Sequence, residues 1–299
     1  FSTGLAWNKV TGTVGMRGRY NGRSLAGVTG NVLLDEATLL GQPFHNLRAN
    51  LKIEESAPDV LLVDLKAPLF GGDISGEARI EFNSSHRYEL HLTGSQLDLG
   101  QFGQHNLGPT SKLQGAAMAQ LHLTGQGSRG DTLDGNGSID VPTGHLYNLP
   151  LLLDILKFLG LRWPDRTAFD ELHALFSIHG QRVSVRKLEL LGNAVSLTGQ
   201  GEFNLDGTNV ALDFYPGWAR LYQLLPPALR PLPPNVSKNL LTIKMRGKVT
   251  ANDKDRKFTM KPVPGIVDPL LHVRDLLTGA PSRENRDEPR MLPELGSGR

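Results

Sequence analysis

Cysteine is absent from the 299 residues. That absence excludes disulfides, thiolate metal sites and cysteine nucleophiles together, and leaves the redox compartment open. Aromatic residues supply only 6% of the chain, with 3 Trp and 5 Tyr, which makes the sugar-stacking platforms of a carbohydrate-active cleft scarce. Charge of one sign is also missing: 32 Lys+Arg against 30 Asp+Glu give a net +2, no footprint for wrapping a polyanion, so no nucleic acid is expected as a partner. No apolar run reaches the roughly 20 residues that cross a bilayer as a helix, and no charged segment precedes an apolar stretch at Phe1. The chain therefore reads as a piece, C-terminal, of a longer protein.

What is present is 39% hydrophobic residues and 34 glycines at a mean hydropathy of -0.25. Those values place the chain in the soluble class, with enough apolar matter for a core and a bias toward turn-rich β structure.

The strongest pattern is two-residue alternation. Ile74, Gly76, Ala78, Ile80 and Phe82 point one way while Ser75, Glu77, Arg79 and Glu81 point the other, as in a half-buried strand. The same pattern recurs at Val28 to Leu34, Leu47 to Ile53, Leu113 to Leu123, Leu133 to Val141, Val195 to Leu205 and Leu241 to Val249. Slipping any of these by one residue would turn charges inward. Asp206-Gly207, Pro58-Asp59, Gly71-Gly72 and Gly192-Asn193 supply reversal chemistry between them, which predicts antiparallel neighbours.

One-sided alternation argues against a doubly covered parallel sheet and leaves a sandwich, a barrel or an open curved sheet. Glycine recurs on the apolar side, as at Gly76, Gly115, Gly135, Gly137, Gly199 and Gly201. Either these glycines relieve packing or mark bulges inside a sandwich, or they let a sheet curl into a concave apolar wall. The expected fold is mainly β: an elongated, twisted and curved, largely antiparallel sheet forming an apolar groove, with two short helices.

The first helix opens at Pro150, runs through Leu151, Leu152, Leu153, Ile155, Leu156, Phe158 and Leu159, and closes near Gly160. About ten residues span only ~15 Å, so it is either a buried plug or a membrane-dipping element. The second lies around Trp218, Leu221, Tyr222, Leu224 and Leu225 and stops at the prolines from Pro226 to Pro234. Residues 1–112 are expected to form β-groove repeats and 113–270 a C-terminal region carrying a helical insert near 149–160. Residues 280–299, rich in Pro, Gly and charge, are expected to be a disordered tail.

Catalytic chemistry finds little support. The stretch Gly125-Gln126-Gly127-Ser128-Arg129-Gly130 matches the dinucleotide fingerprint by letters, but a strand-like segment rather than a helix follows, so a glycine-rich turn is the better account. His173 and His179, and His86 and His91, come without the carboxylate or third ligand that a zinc site needs, and are expected to be isolated histidines of the polar face. Asp253 and Asp255 lack a terminal glutamate for calcium and are crowded by Lys254, Arg256 and Lys257. No nucleophile elbow, H-E-x-x-H helix or P-loop occurs. A non-enzyme with no catalytic residue, no metal and no cofactor is expected.

The run Gly135-Asn136-Gly137-Ser138-Ile139-Asp140-Val141, then Gly144-His145-Leu146, Leu149-Pro150-Leu151-Leu152, Leu156 and Leu159, resembles the C-terminal region of the AsmA family. Gly180-Gln181-Arg182-Val183, Leu190-Leu191-Gly192-Asn193, Gly199-Gln200-Gly201 and Leu205-Asp206-Gly207 are similar to that family's closing strands. The resemblance covers about Gly72 to Gly265, and the stretch Leu224 to Pro231 resembles variants from planctomycete-type bacteria. It implies a relative of the TamB and bridge-like lipid transfer groups: a periplasmic β-groove, attached to the inner membrane in the full-length protein through an N-terminal anchor, with a possible outer-membrane partner. The implied role is outer-membrane biogenesis or lipid homeostasis in the cell envelope.

Together these readings predict a module that binds or conducts phospholipid or other lipid acyl chains along an apolar wall. Ile74, Ile80, Phe82, Leu121, Ile139, Val195, Leu197, Phe203 and Ile243 are expected to line it, with Leu152, Leu153, Leu156 and Leu159 capping one end. The alternative is a structural or adhesive β-sandwich whose core is filled by its own side chains.

Overall fold

The computed structural model describes residues 7–20, 25–39, 42–54, 57–81, 85–109, 111–127, 129–146, 169–192, 196–217, 241–248 and 257–262. Six strands come first: β1 (Trp7–Tyr20), β2 (Leu25–Leu39), β3 (Gln42–Glu54), β4 (Ala57–Leu69), β5 (Gly72–Glu81) and β6 (Arg87–Asp98). One helix, α1 (Leu99–Leu107), leads to β7 (Gln114–Gln126), β8 (Arg129–Val141) and the short β9 (Gly144–His145). The series closes with β10 (Glu171–His179), β11 (Arg182–Leu191), β12 (Ser196–Asn204), β13 (Val210–Gly217), β14 (Leu241–Gly247) and β15 (Lys257–Pro262).

The chain is mainly β, and its strands form one large antiparallel sheet that is not closed. They lie side by side in chain order, except that β9 pairs back onto β7 and β10 takes the place beside β8. The strands on either side of position 112 are neighbours in this sheet, because β6 and β7 pair between Arg87↔Gln126 and Asp98↔Ala116. Both helices expected from the sequence, at 150–160 and around 218–225, lie outside the described residues, as do Phe82, Val195 and the tail.

The one helix among the described residues was not anticipated. Asp98 caps it, accepting hydrogen bonds from the backbone N–H of Gly100 at 2.6 Å and Gln101 at 3.0 Å, and the Asp98-x-x-Gln101 spacing is the signal that marks such a start. The rings of Phe102 and Phe70 make a T-shaped contact with centroids 5.6 Å apart, which ties the helix to the β4–β5 turn.

That turn uses the two residues Phe70 and Gly71 between the partners Leu69 and Gly72. Both have positive φ, 47° and 70°, as the tight reversal matching strand twist requires. The Pro58-Asp59 pair expected to reverse the chain instead lies inside β4, where the ladder is irregular between Ile53 and Glu54. A strand tolerates proline at such an irregularity because no ladder hydrogen bond is needed from its nitrogen.

Bulges explain where the alternation changes phase. The buried apolar set of β4 steps from Val60 to Leu65 and Ala67 across a register shift that contains Asp64 at φ 53°. A shift in β6 between Gly94 and Leu97 contains Gln96 at φ 54°, and a shift in β11 lies between Val185 and Leu188. Each inserts an extra residue, bends its strand and restores the apolar side chains to one face.

Register then aligns these positions into ranks perpendicular to the strands. One rank runs Leu51↔Leu62↔Ala78↔Leu90↔Leu123↔Gly135 and on through Ile178, Val183 and Phe203. A parallel one runs Ile74↔Gly94↔Ala119↔Ile139↔Ala174↔Leu188 and continues through Gly199, Phe214 and Ile243. Every member is apolar or glycine, so the sheet has one apolar face from β3 to β14.

Three glycines of this face are covered by rings. Tyr88 stands opposite Gly125, Phe176 opposite Gly137 and Phe214 opposite Gly199. A Cβ on any of the three would meet ring carbon atoms of its partner at 3.0 Å or less. The small residue makes room, and at these three positions the occupant is a side chain of the protein itself, as in the aromatic covering of strand glycines.

Phe214 is 1% exposed. Phe214→Ala is expected to lower the unfolding free energy by about 3–5 kcal/mol, measured by chemical denaturation, because it removes a buried ring and uncovers Gly199.

Candidate functional site

The apolar face is organised as two buried clusters. The first gathers residues from β2 to β11, including Val32, Leu51, Ile80, Leu90, Leu123 and Ile178. The second gathers Ala117, Val141, Leu190, Leu197, Phe214 and Ile243 with their neighbours. Ile74 and Ile80 are buried in the first, and Leu197 and Ile243 are buried in the second. Leu121 packs half-buried against the first, and half-buried Phe203 packs against both. The four leucines expected to cap one end lie outside the described residues, together with Phe82 and Val195.

Ile139 differs from the others. It is 37% exposed and belongs to neither cluster, although its rank is the apolar one. Its cross-strand partners are Ala119 on β7 and Ala174 on β10, so small side chains flank it where the two clusters meet. A second opening lies along β1, where Val10, Val14 and Met16 are exposed at 48%, 52% and 64%. Val14 pairs with buried Val32, and Met16 pairs with Gly30, so the apolar face continues uncovered onto the end strand of the sheet.

The polar face carries an arrangement that sequence spacing did not reveal. His91 on β6 and His122 on β7 are direct partners, with rings stacked 4.2 Å apart and 15° from parallel. Glu89, two residues before His91 and so on the same face, places Oε1 3.0 Å from His91 Nε2 and 3.1 Å from His122 Nε2. A carboxylate only accepts, so each imidazole donates its Nε2–H to that oxygen. The hydrogen bonds from His91 and then His122 hold the Glu89 carboxyl below the usual carboxylate range against a smaller opposing effect of burial.

Two further histidines of this face are paired as well. His173 Nδ1 lies 2.8 Å from Asp140 Oδ1, and His179 Nδ1 lies 2.6 Å from Asp134 Oδ2. The expectation of isolated histidines is corrected: each carboxylate arrives from the neighbouring strand through the β8–β10 register, 33 or 45 residues away in the chain. Of the Gly125–Gly130 stretch, Gly125 and Gln126 end β7, Gly127 takes φ 58°, and Arg129 and Gly130 begin the strand β8 rather than a helix.

No family model, no curated protein and no solved structure matches the chain.

Because the chain has no cysteine, single cysteines report accessibility directly. Ile139→Cys is expected to react with a maleimide in the native protein, and Leu197→Cys, at a position 1% exposed, to react only once the chain is unfolded, both followed by mass shift over time.

Proposed function

We propose that this protein is a non-catalytic module that holds lipid acyl chains against the apolar face of its sheet. The observation that carries the reading is the continuous apolar face of an unclosed sheet, uncovered at Ile139 and along β1. Burying each methylene of an acyl chain is worth about 0.8 kcal/mol, so moving a long chain from bilayer to water costs on the order of 10 kcal/mol. A strip of apolar side chains that a chain can lie along removes most of that cost without any catalytic group. Ile139 and its alanine partners provide low relief between two filled clusters, and β1 offers an exposed approach to the same face. The resemblance of Gly135 to Leu159 and of Gly180 to Gly207 to the AsmA family supports a place in a bacterial cell envelope, with phospholipid as the cargo and periplasmic attachment to the inner membrane.

A structural reading is favoured by a different observation. Ile74, Ile80, Leu197 and Ile243 are each less than 9% exposed, and aromatic rings fill the space above three glycines, as in a core that satisfies itself. The two readings differ at Ile139.

The test is lipid extraction of the purified protein with mass spectrometry, followed by binding of a fluorescent phospholipid. Co-purified phospholipid is expected. Ile139→Asp is expected to weaken binding roughly tenfold, about 1.4 kcal/mol, with an unchanged denaturation midpoint, whereas Leu197→Asp removes folding and binding together. Absence of lipid from the wild type, or unaltered binding by a folded Ile139→Asp protein, leaves the structural reading.

A further inference from the structure

We propose that Glu89, His91 and His122 form a binding site for a divalent transition-metal ion, of which Zn²⁺ is the representative. The inference is independent of the acyl-chain reading, because the three side chains stand on the opposite face of the sheet.

Geometry is the first support. Glu89 Oε1, His91 Nε2 and His122 Nε2 all lie within 4.8 Å of one another, and the two oxygen–nitrogen edges measure 3.0 and 3.1 Å. Zinc bonds of about 2.0–2.2 Å to imidazole and carboxylate imply ligand–ligand edges of roughly 2.9 Å for octahedral and 3.4 Å for tetrahedral placement. Two of the three edges already fall in that interval. The third closes by tilting two imidazoles whose side chains are 48% and 39% exposed, without moving backbone.

The scaffold is the second. Glu89 and His91 share a strand, and His122 is held opposite His91 by the β6–β7 ladder, which is regular from Arg87↔Gln126 to Gly94↔Ala119. Directly beneath, on the apolar side, Leu90 pairs with Leu123 and Leu92 with Leu121, and Leu90 and Leu123 are buried. Ligands mounted on paired strands over a packed core are positioned more firmly than ligands on loops.

Chemistry selects the ion. Two imidazoles with one carboxylate suit zinc and its first-row neighbours, whereas calcium and magnesium favour all-oxygen shells. Binding replaces the two Nε2–H···Oε1 hydrogen bonds with metal bonds, each neutral imidazole then carrying its one proton on Nδ1. Around the site, Glu77 stands opposite His91 and Arg79 opposite Glu89 on β5, with Asn136 opposite His122 on β8 and Thr124 opposite Glu89 on β7. Three protein ligands leave at least one coordination position for water or an anionic oxygen. His91 and His122 also border a depression of about 710 Å³ with Glu77, Thr93, Gln120 and Asn136 on its walls, which gives such a ligand a place to sit.

The test titrates the purified full chain with Co²⁺ alone, reads the visible d–d absorption, and displaces the ion with Zn²⁺. One Co²⁺ per chain is expected, with a band that Zn²⁺ abolishes. His91→Ala and His122→Ala are each expected to weaken binding by about a hundredfold or more, while His173→Ala, which alters a histidine paired elsewhere on the same face, leaves it unchanged. Circular dichroism and denaturation midpoints verify that each variant is folded, as the exposed positions lead one to expect. Wild-type affinity equal to that of folded His122→Ala, or an equal loss on His173→Ala, overturns the site.

Discussion

A one-residue slip in any ladder of this sheet would turn a strand's apolar side chains toward the polar face and its charges toward the core. On β13 that would expose Val210, Leu212 and Phe214, all buried. At about 1.5–3 kcal/mol for each fully buried side chain, the loss is roughly 5–9 kcal/mol, comparable to the entire net stability of a domain. Register is therefore held by burial, and everything else in the molecule follows from it. The same pairing that lines up the apolar ranks also fixes which polar side chains meet on the reverse side.

Bulges reconcile long strands with one apolar face. Without the extra residues around Asp64, Gln96 and Arg186, the apolar sets of β4, β6 and β11 would fall out of phase halfway along the strand. Each insertion costs ladder hydrogen bonds locally and recovers a half-strand of burial, which is the larger quantity. The ring-covered glycines follow the same logic at a smaller scale. Glycine weakens a strand by roughly 0.5–1 kcal/mol, and the ring that lies across Gly125, Gly137 or Gly199 buries more than that.

The polar face is organised by cross-strand pairing of opposite charges, as where Asp213 meets Lys244 at 3.3 Å and Arg246 at 3.1 Å. Such pairs, with side chains 24–47% exposed, remain open to solvent and contribute little to stability but leave no extended field of one sign. Within that balanced surface the Glu89, His91 and His122 group is distinct because three Lewis-basic atoms converge. The two faces thus divide the proposed roles: a surface for acyl chains on one side and a point site for a metal ion on the other, separated by a single layer of strands.

Much of the fold was legible in the sequence because period-two alternation is a local property of each strand. The runs around Val28, Leu47, Ile74, Leu113, Leu133 and Leu241 identify strands and faces with no knowledge of their neighbours, and Gly71-Gly72 and Asp206-Gly207 mark reversals for equally local reasons, the first displaced by one residue from the observed Phe70-Gly71 turn. The helix at Leu99 was missed because its apolar content is slight, and its capping residue alone announced it. Composition and alternation by themselves determined a mainly β chain with one apolar and one polar side. Only the tertiary structure decided that the sheet stays unclosed, that rings cover Gly125, Gly137 and Gly199, that Ile139 stands open between two clusters, and that Glu89 and His91 meet His122. Those facts depend on which residues of different strands are brought opposite one another, a register held by burial across the whole sheet that no spacing along a single strand encodes.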